Sequence, residues 1–474
     1  MRKLLTSVFF IGIALIMISC NSNKDSKASD SKKKNSTVKL LAEAYMYGYP
    51  VLTMDYTHKL STNTVESDGR GKAPLNEWAT VRQFPRAAFK GVVRPNLDTY
   101  YSLIYADLSI NPLYIYIPAT ERYYLLPILN AFGDVIASPG SRTTGQGELH
   151  IALVGPDYKG EIDSDLMVIR SETSLNWVLG RVAVKNDEDG VLEVANFQEK
   201  LITKPLAERN NPNYVAPKGS VNPEYSNFVP LERVNSLDIV TYFNQMMALM
   251  VDNPPTKADA PLMEKLKDLG IVPGGTFDLS NFSELERIEI KKIPGLVQNK
   301  FKKITAKPKE KNMQNGWAVN TSELGQYGTD YAMRAYVTNI GYGANTPEDA
   351  IYPNAAVDMD GNNFVGDHKY KFHFDADKLP PVKGFWSITM YTKEGFLVEN
   401  SLNRYVLGSM KDMTYNKDGS LDIFIQNEEP ESMKSNWLPS PGAGVEFELT
   451  FRMYWPGEDV LKRIWQMPGV EKME

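Results

Sequence analysis

The sequence predicts a mainly β, α+β protein with two β-sandwich-like domains and a helical insert between them. Three observations carry this. Short apolar and aromatic runs, separated by Gly, Pro and Asp clusters, mark the first and last parts of the chain, as in a sandwich or barrel. The middle instead places apolar residues at spacings of three and four behind capping residues, the pattern of helices. Rings are also abundant, with 25 Tyr, 19 Phe and 7 Trp in 474 residues, which favours strands and packed rings with one polar edge.

The chain opens MRKLLTSVFFIGIALIMISCNSNKDS. Arg2 and Lys3 form a basic start, Leu4 to Ile18 an apolar run, and Ser19-Cys20 a small-residue boundary. The run is too short for a stable span and reads as a secretory signal over residues 1–19. The segment resembles a bacterial lipoprotein signal, in which the cysteine is lipidated and becomes the first mature residue. Cys20 is the only cysteine, so no disulfide framework competes for it. Residues 20–37, rich in Ser, Lys, Asp and Asn, read as a flexible tether. Cleavage before Cys20 removes Arg2 and Lys3 and takes the formal net charge from -6 to -8.

The N-terminal β-rich domain is expected over 38–230. It begins with a helix from Val38 to Lys59, carried by Leu41, Ala44, Tyr45 and Tyr49 until Pro50 intervenes. Strands follow at Leu113 to Ile117, Tyr123 to Leu126 and Leu149 to Val154. The helical insert and connector occupy 231–310. There Ser236 is placed to cap a helix bearing Ile239, Phe243, Met246 and Met250, ended by Pro254-Pro255. Asp259 is placed to cap a second, and Phe282 to Lys292 reads as a third, broken at Pro294. The C-terminal β-rich domain, 311–474, has strands at Phe385 to Tyr391, Leu421 to Ile425 and Val445 to Tyr454. A hairpin turn is expected at Asn416 to Ser420.

Several chemistries lack their residues. The acidic balance argues against nucleic-acid binding, which needs clustered Lys and Arg. There are four histidines and no metal-binding spacing, and the two in "HKYKFHF" face opposite ways on a strand. "DMDGNN" from Asp358 fits an Asp-Gly turn better than a calcium loop. No G-x-S-x-G elbow, dinucleotide loop or phosphate loop occurs. No metal or cofactor is expected.

Polar-aromatic clusters remain. In "GVVRPNLDTYYSLIYADLS", Pro95 favours an extended Arg94. Alternation from Leu97 puts Asp98, Tyr100 and Ser102 on one face, and Thr99, Tyr101, Leu103 and Tyr105 on the other. A carboxylate and hydroxyls at a strand start suit a ligand. Equally, Asn96 and Asp98 can close an Asx turn. Further along, "FWSITMYTKEGFLVENSLNRYVLG" and "SNWLPSPG" gather Trp386, Asn400, Asn403, Arg404, Tyr405 and Trp437. Arg404 is the member best suited to hold a carboxylate or phosphate bidentately.

These stretches resemble a bacterial family that pairs two domains of unknown function, numbers 1254 and 1214. "RPNLDTYYSLIYADLS" resembles the first domain's N-x-D-T-x-Y-S core, and "GSRTTGQGELHIALVGPDYKG" its R-T-T-G and G-P-x-x-x-G segment. "VDNPPTKADAPLMEKLKDLGIVPG" resembles the linking helices. "YGTDYAMRAYVTNIGYGANTPEDAIYP", the two C-terminal clusters, "DGSLDIFIQNEEP" and "FRMYWP" resemble the second domain. The resemblance implies two β-sandwich-like domains with a helical insert. It supplies no reaction.

The expected function is binding or processing of a small polar or aromatic molecule in a pocket between the two β domains. Asp98 is the candidate general acid or base and Arg404 the candidate anion holder. Arg94, Asn96, Tyr101 and Arg142 are ligand-binding candidates from the first domain, and Trp386, Asn403 and Trp437 from the second. The alternative is a non-catalytic module that binds an envelope glycan or protein. The expected partners are a membrane, through lipidated Cys20, and a small ligand. The expected location is the bacterial cell envelope, at the outer membrane, and homo-oligomerisation is left open. The anchor has a direct check. Cells fed labelled palmitate should label the wild-type chain and leave Cys20→Ser unlabelled, whereas a labelled Cys20→Ser chain would remove the anchor.

Overall fold

The computed structural model describes residues 22–185, 188–306, 310–322 and 324–473. The expected signal segment and Cys20 lie outside the described residues. Two β-sandwiches are present, with helices between them in the chain, and about 27% of the residues are helical and 23% in strands.

The first sandwich packs a six-stranded sheet on a four-stranded one. Thr99–Asp107 and Leu175–Ala183 pair antiparallel along their full lengths at the centre of the larger sheet. Leu113–Ile117 and Leu149–Val154 are central in the smaller. The period-two alternation of Thr99–Asp107 decides what each face meets. Tyr100, Ile104 and Ala106 join Ile115, Ile117, Ile151 and Leu153 in the core between the sheets. Tyr105, with Tyr101 and Leu103 beside it, faces a helical layer.

That layer is built around the N-terminal helix Ser22–Ser61 and the helices Ile239–Asp252, Ala260–Lys267, Glu284–Lys291 and Ile293–Ala306. The first of these starts at Ser22, so the segment read as a tether is helical from there. It also runs through Pro50, where the apolar spacing that marks the helix is interrupted. A mid-helix proline costs about 3 kcal/mol. Here Tyr45, Tyr47, Tyr49, Val51, Leu52 and Met54 are all buried, and their packing outweighs that cost. Ser236 does not cap Ile239–Asp252, because it closes the preceding helix, Pro230–Ser236. Asp238 is the cap, and its carboxylate accepts from the N–H groups of Val240 and Thr241. Ser283 caps Glu284–Lys291 through a reciprocal box with Glu286, and Pro294 sits in the first turn of the next helix, where it is tolerated.

The second sandwich packs a seven-stranded sheet on a four-stranded one. Trp386–Thr392 pairs with Phe447–Tyr454 over seven residues. Ile388, Met390, Leu449, Phe451 and Met453 point from this pair into a core shared with Phe372, Ile423 and Ile425 of the facing sheet. The turn at Asn416 to Ser420 forms, with Gly419 at φ +88°. It is not a hairpin, since Leu421–Gln426 pairs antiparallel with Tyr370–Phe374 and parallel with Trp437–Pro439. Asp358 closes its own turn by accepting from the N–H groups of Asp360 and Asn362.

Candidate functional site

Alternation predicts that Ser387, Thr389, Tyr391, Thr450, Arg452 and Tyr454 face away from the second sandwich's core. They do, yet all six are buried, Arg452 at 4% exposure. The first sandwich covers them. The contact is made by the stretch from Arg94 to Asp98, and its polar groups meet those of the covered face one by one.

Asn96 is an Asx turn, accepting from the N–H groups of Asp98 at 2.6 Å and Thr99 at 3.1 Å. Its side-chain amide donates to the Tyr454 hydroxyl at 2.7 Å. Asp98, 1% exposed, accepts from the Ser387 hydroxyl at 2.6 Å. Arg452 donates from Nη1 to Thr389 Oγ1 at 2.8 Å, and from Nη2 to the Tyr391 hydroxyl at 2.7 Å and the Arg94 carbonyl at 3.0 Å. The Tyr391 hydroxyl in turn donates to the Pro95 carbonyl at 2.6 Å. Arg94 departs from the extended backbone expected before proline, at φ +48°. Its N–H donates to Gly395 O at 2.7 Å, and its guanidinium pairs with Glu448. Those ties to the second sandwich hold the strained backbone.

Burial pushes the Asp98 carboxyl above its ordinary value, while the Arg452 charge and the Ser387 hydroxyl oppose the shift. Nearby, Arg181 is buried, donates to Asn345 Oδ1 and lies over the Tyr101 ring at 5.4 Å. Arg142 donates from Nε to Asp349 Oδ1 at 2.6 Å. These bonds also join the two domains.

A cleft of about 830 Å³ opens beside this polar contact. Gln83 to Arg86, Leu97 and Tyr100 line it from the first sandwich, and Leu402 to Leu407, with Lys411, Asp412 and Ser435, from the second. Asn403 and Arg404 therefore line a pocket between the domains. Asp98 does not, because its side chain turns into the buried contact and bonds Ser387. The pairing of Asp98 and Arg404 in one pocket, expected from the sequence, is thus revised. Arg94, Asn96 and Arg142 serve the domain contact, Tyr101 lies under Arg181 of its own domain, and none of the four lines the cleft. Trp386 belongs to the second sandwich's core, stacked on Phe451 at 5.2 Å. Trp437 is buried in a strand, with its indole N–H on Gln426 O at 2.8 Å.

Arg404 is well held. Its backbone N–H and carbonyl bond the Asn400 side chain at 3.0 and 2.9 Å. Its Nη1 donates to the carbonyls of Lys434 at 2.7 Å and Trp437 at 3.2 Å. Both acceptors are neutral, so neither consumes its charge. Sequence reasoning missed Arg86, Lys411 and Phe84 in the cleft and Arg452 in the contact. Arg86 and Lys411 carry no local motif that marks them. Arg452 reads as a solvent-facing charge on an alternating strand until the other domain is placed over it.

Comparison with known families matches residues 75–205 to "Protein of unknown function (DUF1254)" and 349–458 to "Protein of unknown function (DUF1214)". The chain belongs to the family that pairs these two domains. The cleft takes Gln83 to Arg86 from the DUF1254 match and Leu402 to Leu407 from the DUF1214 match, so it lies between the family's two domains. Among solved structures, the VPA0106 protein from Vibrio parahaemolyticus shares the fold at a TM-score of 0.67 and 22% identity, over 92% of this chain and all of its own. A putative uncharacterized protein from Burkholderia cenocepacia aligns at a TM-score of 0.41 and 11% identity, over 96% of this chain and 98% of its own. No curated protein matches.

The raised Asp98 gives a pH prediction. A carboxyl that burial raises favours the folded state while protonated, so its contribution is full below the ordinary value of 3.8 and is lost as pH rises through the folded value. Asp98→Asn keeps an acceptor for Ser387 and should remove that fall from the stability curve measured by urea denaturation. A variant curve parallel to wild type would show that Asp98 is not desolvated.

Proposed function

We propose that the chain is an envelope lipoprotein, anchored through Cys20, that binds a small molecule bearing an anionic group in the cleft between its two sandwiches. One observation carries the reading. The cleft's volume of about 830 Å³ falls in the range of ligand sites, and Arg86, Arg404 and Lys411 line it against the single acid Asp412. Arg404 supplies a planar fork matched to carboxylate or phosphate. Its loop is already fixed by Asn400, so little ordering entropy remains to be lost on binding. Phe84, Tyr100 and Tyr405 add ring surface for the rest of the ligand.

The same lining supports binding over turnover. Asp98, the carboxylate offered as general acid or base, is engaged in the domain contact. Ser435 in the cleft bonds Thr414 and Asn436, and none of the four histidines lines the cleft. A nucleophile without an adjacent base stays weak. Among the described residues no helix is long and apolar enough to cross a membrane. Attachment in this reading falls to the lipid on Cys20.

Thermal stabilisation across a panel of carboxylates and phosphates tests the site. A binder at a hundredfold excess over its Kd should stabilise the wild type by about 2.7 kcal/mol. Arg404→Ala and Arg86→Ala should weaken that ligand roughly tenfold or more, since hydrogen bonds to charged groups are worth about 1.5–3 kcal/mol. Equal stabilisation of both variants would place the ligand elsewhere.

A further inference from the structure

We infer that Arg181, buried where the two domains meet, is the centre of a second anion site, one suited to a small carboxylate. The site is separate from the cleft, whose lining includes neither Arg181 nor the tyrosines around it, Tyr101, Tyr352 and Tyr454.

The arginines of the domain contact have acids to answer them, with one exception. Arg94 pairs with Glu448 and Arg142 with Asp349, and Arg452 lies in the field of Asp98. Arg181 is 7% exposed, and among the described residues no carboxylate comes within ion-pair distance of it. Its Nη1 donates to Asn345 Oδ1 and its Nη2 to the Gly343 carbonyl at 3.4 Å, and both acceptors are neutral. Its Nε finds no acceptor among the described residues. A buried charge that is neither paired nor fully hydrogen-bonded is costly, far more so than a neutral donor in the same place.

Hydroxyls surround this cation. Tyr101 stands directly opposite Arg181 on the neighbouring strand, with its ring 5.4 Å from the guanidinium. Tyr352 and Tyr454 of the second domain are the next groups whose charge would act on it. Burial pushes both of those hydroxyls up, so they keep their protons and neutralise nothing. Asn345 Nδ2 donates to the Tyr352 hydroxyl, and Asn96 Nδ2 to the Tyr454 hydroxyl at 2.7 Å. Each oxygen thus accepts once, and among the described residues neither O–H finds an acceptor of its own. The result is a group of donors, one of them charged, around a deficit of one negative charge. A carboxylate meets that need, with a single charge and about four lone-pair sites on two oxygens. Tyr101 and Tyr352 keep part of their surface accessible, so the group is not sealed. Its members come from both domains, and an anion held among them ties the two together.

Thermal unfolding tests this on the full chain carrying Arg404→Ala, so that the cleft's own anion holder is gone. Acetate is the probe and chloride at equal ionic strength the control. Acetate should raise the unfolding midpoint saturably, and chloride should not. Adding Arg181→Gln, which keeps a donor for Asn345, should abolish the acetate effect. If that variant does not fold, Tyr101→Phe removes one hydroxyl, keeps the ring and should weaken acetate about tenfold. Equal effects of acetate and chloride would overturn the site, as would acetate stabilisation that survives Arg181→Gln or is unchanged in Tyr101→Phe. A tyrosinate absorption band at neutral pH that Tyr101→Phe removes would also overturn it, because the chain would then supply the counter-charge itself. The cleft reading stands under every one of these outcomes, since Arg404 is absent throughout.

Discussion

The Arg452 guanidinium is the fixed point between the two sandwiches. It donates to Thr389 and Tyr391 of its own sheet and to the Arg94 carbonyl of the other domain, and Asp98 supplies a nearby negative charge. Taking such a charge out of water costs several kcal/mol and is repaid only where its donors are satisfied. Thr389, Tyr391 and the Arg94 carbonyl supply that satisfaction, and the Tyr391 bond to Pro95 and the Ser387 bond to Asp98 tie the surrounding groups across the same contact. The arrangement admits few alternatives. A shifted domain would strand a buried cation and a buried carboxylate together, so the contact specifies geometry as well as holding it.

The cleft inherits its shape from that contact. Leu97 and Tyr100, on either side of Asp98 and Thr99, form part of one wall, and Tyr405 beside Arg404 forms part of the other. Leu97, Tyr391, Leu397 and Tyr405 make an apolar cluster across the boundary. A second cluster, with Leu125, Ala183, Phe385 and Tyr454, seals the far side. The buried polar groups therefore sit between two dry seams. The pocket stays open where the seams end, and its cations come from loops that the seams hold in place.

Much of this was legible in the sequence where burial alternates in step with the chain. Tyr370–Phe374 and Leu421–Gln426 follow the two-residue period, and the strand bodies were placed within a residue or two of their expected runs. The N-terminal helix was legible from Val38 by its apolar spacing but not from Ser22, where Ser, Lys, Asp and Asn read as a tether, and the spacing fades near Pro50 because burial on all sides removes the stripe that marks a helix. The helix Tyr331–Gly341 is not legible from composition, since its Tyr, Val, Thr and Ile content suits a strand, and only the Asp330 cap declares it. The site divided in the same way. Asn403 and Arg404 sit in a turn whose polar residues stand out locally. The duties of Asp98, Trp386 and Trp437 depend on which surface another element covers, and no local pattern encodes that.

Differential scanning calorimetry of Arg452→Met tests the central claim most directly. If the Arg452 contact couples the sandwiches, the wild type should unfold in one transition. The variant, which removes one partner of a buried charge cluster at a cost of about 3–5 kcal/mol, should separate into two. A variant that retains the single wild-type transition at an unchanged midpoint would contradict the account.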